Sequence, residues 1–197
     1  MKRLFVGIPV ESKTVEKSVK TWMEDPLLNL NLLNWVKSEN WHITLFFLGN
    51  TQTSLIPLLI QLIEESFCSV QAFGTMVSGA GVFPHERNPK VLWLGMENLQ
   101  LLLPACSKMG EDLQQNGFIA GYKPLKPHLT MARIKNLDNR SSFDSFLTQN
   151  RQMTFGSVAI NRVVLYESVL DYKGPVYKSL FVKTLGYGQY ETNPVDE

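Results

Sequence analysis

Cysteine is scarce in this chain: Cys68 and Cys106 are the two among 197 residues. Both fall in or beside segments that read as helical and show no metal-ligand spacing, so they are expected to be buried free thiols. Net charge is nearly absent as well. Nineteen Lys and Arg face eighteen Asp and Glu, a formal +1. A protein that coats long nucleic acid by neutralising phosphates needs a broad basic surface, and this balance argues against one; recognition of a single phosphate needs only two or three donors and stays open. Long apolar runs are missing too. The longest, at 99–105 and 43–48, are too short to span a bilayer, and residues 1–10 read as a first strand and not as a signal peptide, having no small-residue cleavage site. Histidine is rare, with three copies. What remains is an ordinary globular mixture, 44% apolar and 19% charged, expected to be a cytoplasmic, monomeric protein with no membrane attachment.

The chain resembles itself. Leu4-Phe5-Val6-Gly7-Ile8 matches Leu92-Trp93-Leu94-Gly95-Met96, His42-Ile43-Thr44-Leu45 matches His128-Leu129-Thr130-Met131, Asn50 matches Asn136 at the same offset, and Phe73-Gly74-Thr75 matches Phe155-Gly156-Ser157. Matches in one order imply a duplicated unit, about 2–84 and 90–168. Each copy reads strand, helix, strand, helix, strand. The first has strands over 2–10, 41–48 (ended by Gly49-Asn50) and 73–83, and helices over 12–24 (Ser12 as N-cap) and 53–67. The second has strands over 91–96, 128–134 and 154–166, and helices over 98–116 and 141–150. Pro104 argues for a later start to the helix at 98. A closing strand over 177–185 comes after the Gly174-Pro175 turn, and 186–197 reads as a frayed polar tail. The expected fold is α+β: one bilobal domain over 1–197, two pseudo-symmetric lobes, each a mainly antiparallel sheet with packed helices, and the active site in the cleft between them.

Two of the three histidines begin a His-apolar-Thr-apolar tetrapeptide, a pattern a random histidine would show about once in a hundred times. On a strand, residues two apart share a face. His42 therefore projects with Thr44, and His128 with Thr130, while Ile43, Leu45, Leu129 and Met131 point the other way. If a pseudo-twofold axis relates the lobes, two imidazoles and two hydroxyls converge. One imidazole can act as general base and the other, protonated, as general acid at about pH 6–7. The hydroxyls can donate to oxygens that gain charge. A phosphodiester with an intramolecular leaving group suits this set, with no metal, cofactor or covalent nucleophile. A lone His-x-Thr on a strand is commonly an ordinary half-buried pair; it is the symmetric repetition that carries the signal. Zinc needs a third ligand, and neither Glu86 nor Asp138 stands at a ligand-like interval. A Ser-His-Asp arrangement lacks its serine on a strand–helix turn.

Trp41-His42-Ile43-Thr44-Leu45 with Phe47-Leu48-Gly49, and Lys126-Pro127-His128-Leu129-Thr130-Met131-Ala132-Arg133, resemble the two-histidine (2H) phosphoesterases, and within them the bacterial and archaeal RNA 2′,3′-cyclic phosphodiesterases, also called 2′-5′ RNA ligases. Arg3-Leu4-Phe5, Val82-Phe83-Pro84, Trp93-Leu94-Gly95 and Leu165-Tyr166-Glu167-Ser168 extend the resemblance over nearly the whole chain. The resemblance implies that His42 is the proton donor and His128 the proton acceptor when water opens a cyclic phosphate to a 2′-phosphate, with Arg133 helping to bind the phosphate or nucleotide. By strand parity Arg133 points away from His128 unless a bulge re-aims it. Asn34 stands before Trp35 where the family pattern has arginine, and Met131 where leucine is commoner. The implied partner is RNA with a 2′,3′-cyclic phosphate end, or a small cyclic nucleotide. Ligation in the same site and non-catalytic binding of an RNA end are the alternatives. Lys123, Lys126 and Lys135 flank the second motif, His85 reads as a surface-loop residue, and Phe5, Trp41 and Trp93 as core or cleft-wall aromatics of which one could stack on a base.

Overall fold

The computed structural model describes residues 1–24, 33–118, 127–135, 137, 140–172 and 174–186. The strands are β1 (Lys2–Pro9), β2 (Leu33–Trp35), β3 (His42–Thr51), β4 (Phe73–Phe83), β5 (Val91–Met96), β6 (His128–Ile134), β7 (Thr154–Ile160), β8 (Arg162–Asp171) and β9 (Gly174–Thr184). The helices are α1 (Lys13–Met23), α2 (Ile56–Phe67), α3 (Leu103–Gln115) and α4 (Arg140–Asn150). Among the described residues, none of the helices is long and apolar enough to cross a membrane.

All nine strands belong to one sheet, ordered β7-β4-β5-β6-β3-β1-β8-β9, with β2 added beside β6. Each ladder is antiparallel. The two expected sheets are thus halves of one. They meet where β3 and β6 share a single registered pair, Ile43 with Leu129. Beyond it β6 leaves β3 and takes β2 as its neighbour, through Leu33↔Ile134, Asn34↔Arg133 and Trp35↔Ala132. Strand β2 carries no sequence signal of its own, being three residues long.

Local chemistry accounts for most elements. Ser12 caps α1, its hydroxyl oxygen accepting from the Val15 N–H and its hydroxyl donating to the Ser157 carbonyl of β7. Val15, Val19 and Trp22 form the buried stripe. Trp22 stands edge-on to Phe146 and Phe155, and its indole N–H donates to the Asn150 side chain. The first helix therefore packs on elements of the second half. Helix α2 lies against α3 and β9. Proline sets two helix starts. A 3-10 turn over Thr53–Leu55 precedes α2, and one over Leu99–Leu102 precedes α3, whose first turn holds Pro104.

Five sequence expectations need correction. Cys68 is exposed, so of the two cysteines expected to be buried only Cys106 is. Gly174 and Pro175, expected to form a turn, instead open β9 and pair with Asp171 and Leu170. Strand β3 does not end at Gly49 but runs to Thr51; Gly49 adopts φ +68° inside a bulge, where Leu4 pairs with Gly49 and Phe5 with Phe47. The strand expected over 154–166 is two strands broken at Asn161, whose carbonyl accepts from the Leu185 N–H. One of them, β7, pairs with β4; the other, β8, pairs with β1 in the opposite half. By place in the sheet the counterpart of β4 is therefore β8, although the residue match at 73–75 and 155–157 links β4 to β7. Gly186 is tied down, bridging Gln71; the remainder of the expected tail lies outside the described residues.

Candidate active site

Strands β3 and β6 build the site from the same local pattern. Ile43 and Leu45 are buried while His42 and Thr44 are half-buried on the other face; Leu129 and Met131 are buried while His128 and Thr130 are half-buried. The period of two expected of a strand holds through these residues. The register at Ile43↔Leu129 then carries His42 toward Thr130 and Thr44 toward His128.

One residue further on, both strands break parity in the same way. Val6 pairs with Phe46 and Gly7 with Thr44, leaving Leu45 unmatched in β3; Leu92 pairs with Ala132 and Trp93 with Thr130, leaving Met131 unmatched in β6. Each bulge puts two buried residues in succession and re-aims the side chain beyond them. Arg133 is accordingly exposed on the face of His128 and Thr130, and Phe47 on the face of His42 and Thr44.

A cleft of about 390 Å³ lies over this face, bordered by His42, Thr44, Phe47, Thr130, Arg133 and Tyr177 among others. His128 does not border that cavity; its ring stands edge-on to Phe83 at 4.9 Å and 6.5 Å from Trp93. It is nevertheless close enough for its charge to act on His42. Burial chiefly, and His128 in addition, hold the His42 imidazole below its ordinary pKa, against a raising effect from its hydrogen bond to Asn40. In that bond the His42 Nδ1–H donates to the Asn40 carbonyl at 2.7 Å, which leaves Nε2 as the atom that exchanges a proton.

Aromatic rings hold each imidazole. Phe5, Tyr166 and Tyr177 surround His42 at 4.8, 6.3 and 4.9 Å between ring centroids; Phe83 and Trp93 stand beside His128. Burial pushes the Tyr166 and Tyr177 phenols up, so both are neutral donors at ordinary pH, with the positive charges of Arg133 and Arg3 opposing the shift at Tyr177. The buried indole N–H groups of Trp35 and Trp93 have no hydrogen-bond partner among the described residues.

Of the expected site residues, His42, Thr44, Thr130 and Arg133 border one cleft and His128 stands beside it. Asn34 also borders it, across from Arg133 in the β2–β6 ladder. His85 is exposed in its loop, accepting from the Asn88 N–H, and Glu86 pairs with Arg151. Lys135 is exposed; Lys123, Lys126 and Asp138 lie outside the described residues. Among the described residues no group of three or more His, Cys, Asp and Glu is placed to hold a metal ion. Phe47, Tyr166 and Tyr177 escaped the sequence reading as site residues. For Phe47 a signal existed: it comes after His42 by the five positions that separate Arg133 from His128. Tyr177 comes from the last strand and carries none.

Residues 4–180 match the family model described as the AKAP7 2′5′ RNA ligase-like domain. The chain is 30% identical over 179 residues to the RNA 2′,3′-cyclic phosphodiesterase of Thermotoga maritima, covering 91% of this chain and 93% of that one. It is 31% identical over 180 residues to the protein of the same name in Archaeoglobus fulgidus, covering 91% and 98%. Its fold is similar to that of E. coli LigT complexed with 3′-AMP, with a TM-score of 0.73 and 22% identity over 93% of this chain and 98% of the other.

Proposed function

The chain belongs to the two-histidine phosphoesterases, and from that membership we propose that it hydrolyses the 2′,3′-cyclic phosphate ends of RNA to 2′-phosphomonoesters. The observation that carries the reading is the pairing of two His-x-Thr motifs on adjacent strands, in register at Ile43↔Leu129. The names of the Thermotoga and Archaeoglobus relatives support the substrate class, and the nucleotide bound to LigT supports a cleft that accepts one nucleoside.

In this scheme His128 takes a proton from water as the water oxygen bonds to phosphorus. The bond from phosphorus to the 3′ oxygen breaks, and His42 Nε2 gives that oxygen its proton. Thr44 and Thr130 donate to the non-bridging oxygens, and Arg133 adds a positive charge at the cleft wall. Two imidazoles supply both proton transfers, so the scheme calls for no metal or cofactor. The lowered pKa of His42 fits a donor that is charged by its own substrate, because a phosphate beside the ring favours the imidazolium that burial disfavours. Ligation to a 2′-5′ linkage is the same step with an RNA 5′-hydroxyl in place of water: its oxygen bonds to phosphorus, its proton goes to His128, and the 3′ oxygen again leaves with the proton of His42; in dilute solution water prevails. The division into duplicated halves, 2–84 and 90–168 with a closing strand in one bilobal domain, is part of the proposal, supported by the equivalent bulges of β3 and β6.

Hydrolysis of an oligonucleotide ending in a 2′,3′-cyclic phosphate tests the reading. His42→Ala and His128→Ala are each expected to lose about 10²–10⁴-fold in kcat, and the wild-type product carries its phosphate on the 2′ oxygen. Near wild-type rates in either variant overturn the mechanism.

A further inference from the structure

Among the described residues that border the cleft, Trp35 and Tyr177 are half-buried, and Phe47 is the aromatic side chain most open to solvent. Phe47 is 55% exposed, whereas Phe5 and Trp41 are buried at 2% and 5%. Phe5 is further enclosed between His42 and the stacked ring of Tyr166, and the Trp41 indole N–H donates to the Val36 carbonyl. Trp93 lies against Phe83, 5.2 Å between centroids. Phe5 and Trp41 have no face to offer a ligand, and Trp93 is half-buried and does not border the cleft. Phe47 has one, and its exposure is imposed by the chain: the bulge at Leu45 turns it outward from a strand whose preceding residues, Leu45 and Phe46, are buried. The Arg3 guanidinium sits over its ring, 5.1 Å from the centroid, which backs the ring with positive charge.

The equivalent bulge in β6 turns out Arg133 instead. The cleft thus has two arms at equivalent positions beyond the histidines, one a guanidinium and one a phenyl ring, and a nucleotide has two unlike ends. We propose that Phe47 is the platform on which the base of the terminal nucleoside stacks, with the cyclic phosphate held between the two His-x-Thr pairs. This rests on the phosphodiesterase reading above and adds to it the part of the substrate that Phe47 recognises. With the bulge absorbing one residue, Phe47 stands about two strand steps, roughly 7 Å, beyond Thr44, a separation that the ribose bridges. A phenyl ring reads the π-face that all bases share, so the preference is for a nucleoside over a base-free cyclic phosphate, with little discrimination among bases.

The test compares adenosine 2′,3′-cyclic phosphate with glycerol 1,2-cyclic phosphate. The wild type is expected to favour the nucleoside, and Phe47→Ala to reduce the ratio of the two kcat/KM values by about tenfold or more, mainly through KM for the nucleoside. Phe47→Trp should keep the ratio or raise it. An unchanged ratio in Phe47→Ala overturns the platform, as does an equal loss on both substrates, which would mark a structural role. Calorimetric binding of adenosine 2′-monophosphate separates this proposal from the one it rests on. Should the wild type bind that nucleotide yet hydrolyse neither substrate, the phosphodiesterase reading fails, and weaker binding by Phe47→Ala still upholds the platform. Equal affinity in wild type and Phe47→Ala removes it.

Discussion

Ile43 and Leu129 are both fully buried and face one another at the one registered pair that joins β3 to β6. His42 and Thr44 flank the first, His128 and Thr130 the second. The pair fixes how far apart the two motifs stand. Leu129→Ala is expected to cost about 2–5 kcal/mol of stability through the cavity it leaves, read as a lower urea midpoint with an unchanged m value. Where the variant is still folded, its kcat for the cyclic phosphate should fall as well, because proton transfer is sensitive to displacements of about 1 Å. Lost stability with an unchanged kcat would show that the pair supports the fold without setting the geometry of the site.

Thr44 and Thr130 can be tested without disturbing packing, since valine has nearly the shape of threonine and both positions are half-buried. Thr44→Val and Thr130→Val should each lower kcat by about 10²–10³-fold, the loss typical of one oxyanion donor, while Tm shifts by no more than a few degrees. Full activity in either variant would remove that hydroxyl from the transition state.

The parts of the site legible in the sequence were those set within one strand. His42 with Thr44, and His128 with Thr130, share faces because a strand alternates, and that needs no partner. Ser12 and the Val15–Val19–Trp22 stripe likewise announced α1. What depended on pairing was hidden. Parity turned Arg133 away from the site, and only the mismatch of β6 against β5 at Met131 brings it back. The same mismatch against β1 exposes Phe47. Asn161 splits what reads as one strand because β7 and β8 join opposite halves of the sheet, and no local signal says which half a strand will join.

Arg133 now has a defined place, exposed on the cleft and across from Asn34. If it meets the phosphate, Arg133→Ala should cost about ten- to a hundredfold in kcat/KM, as for a charge-assisted hydrogen bond. Arg133→Lys should recover part of that, the charge being kept and the fork lost. Steady-state kinetics at fixed ionic strength check it; equal kcat/KM in wild type and Arg133→Ala would place the guanidinium outside the substrate's reach.

Gly81 faces Trp93 across the β4–β5 ladder, and a Cβ there would overlap the indole. Gly81→Ala must displace Trp93, which stands beside His128. A destabilisation of about 1–3 kcal/mol is expected from overpacking, with a fall in kcat. Adding Trp93→Phe should return much of the stability, because the smaller ring vacates the space, so the double variant should be more stable than the sum of the two single effects predicts. Additive losses would show that the strain is not relieved at Trp93.

The burial of His42 ties stability to pH, and in the proposed scheme it ties catalysis to pH as well. Its folded-state pKa lies below the unfolded value of about 6.5, so the unfolded chain binds more protons in mild acid. Stability therefore declines as the pH falls from about 6.5 toward the lowered pKa and changes no further below it; His42→Asn should lack this component in urea titrations across that range. In the proposed scheme His42 gives up a proton and must be charged, so kcat/KM, which reports the free enzyme, should fall on the alkaline side from a pKa below the ordinary imidazole value. The alkaline limb of kcat reports the complex, where the phosphate's negative charge raises the same imidazole, and it should lie at higher pH. The gap between the two limbs measures how strongly the substrate's charge is felt at His42. Coincident limbs would mean that the phosphate does not sit beside this ring, and the proton would then have to come from elsewhere in the cleft.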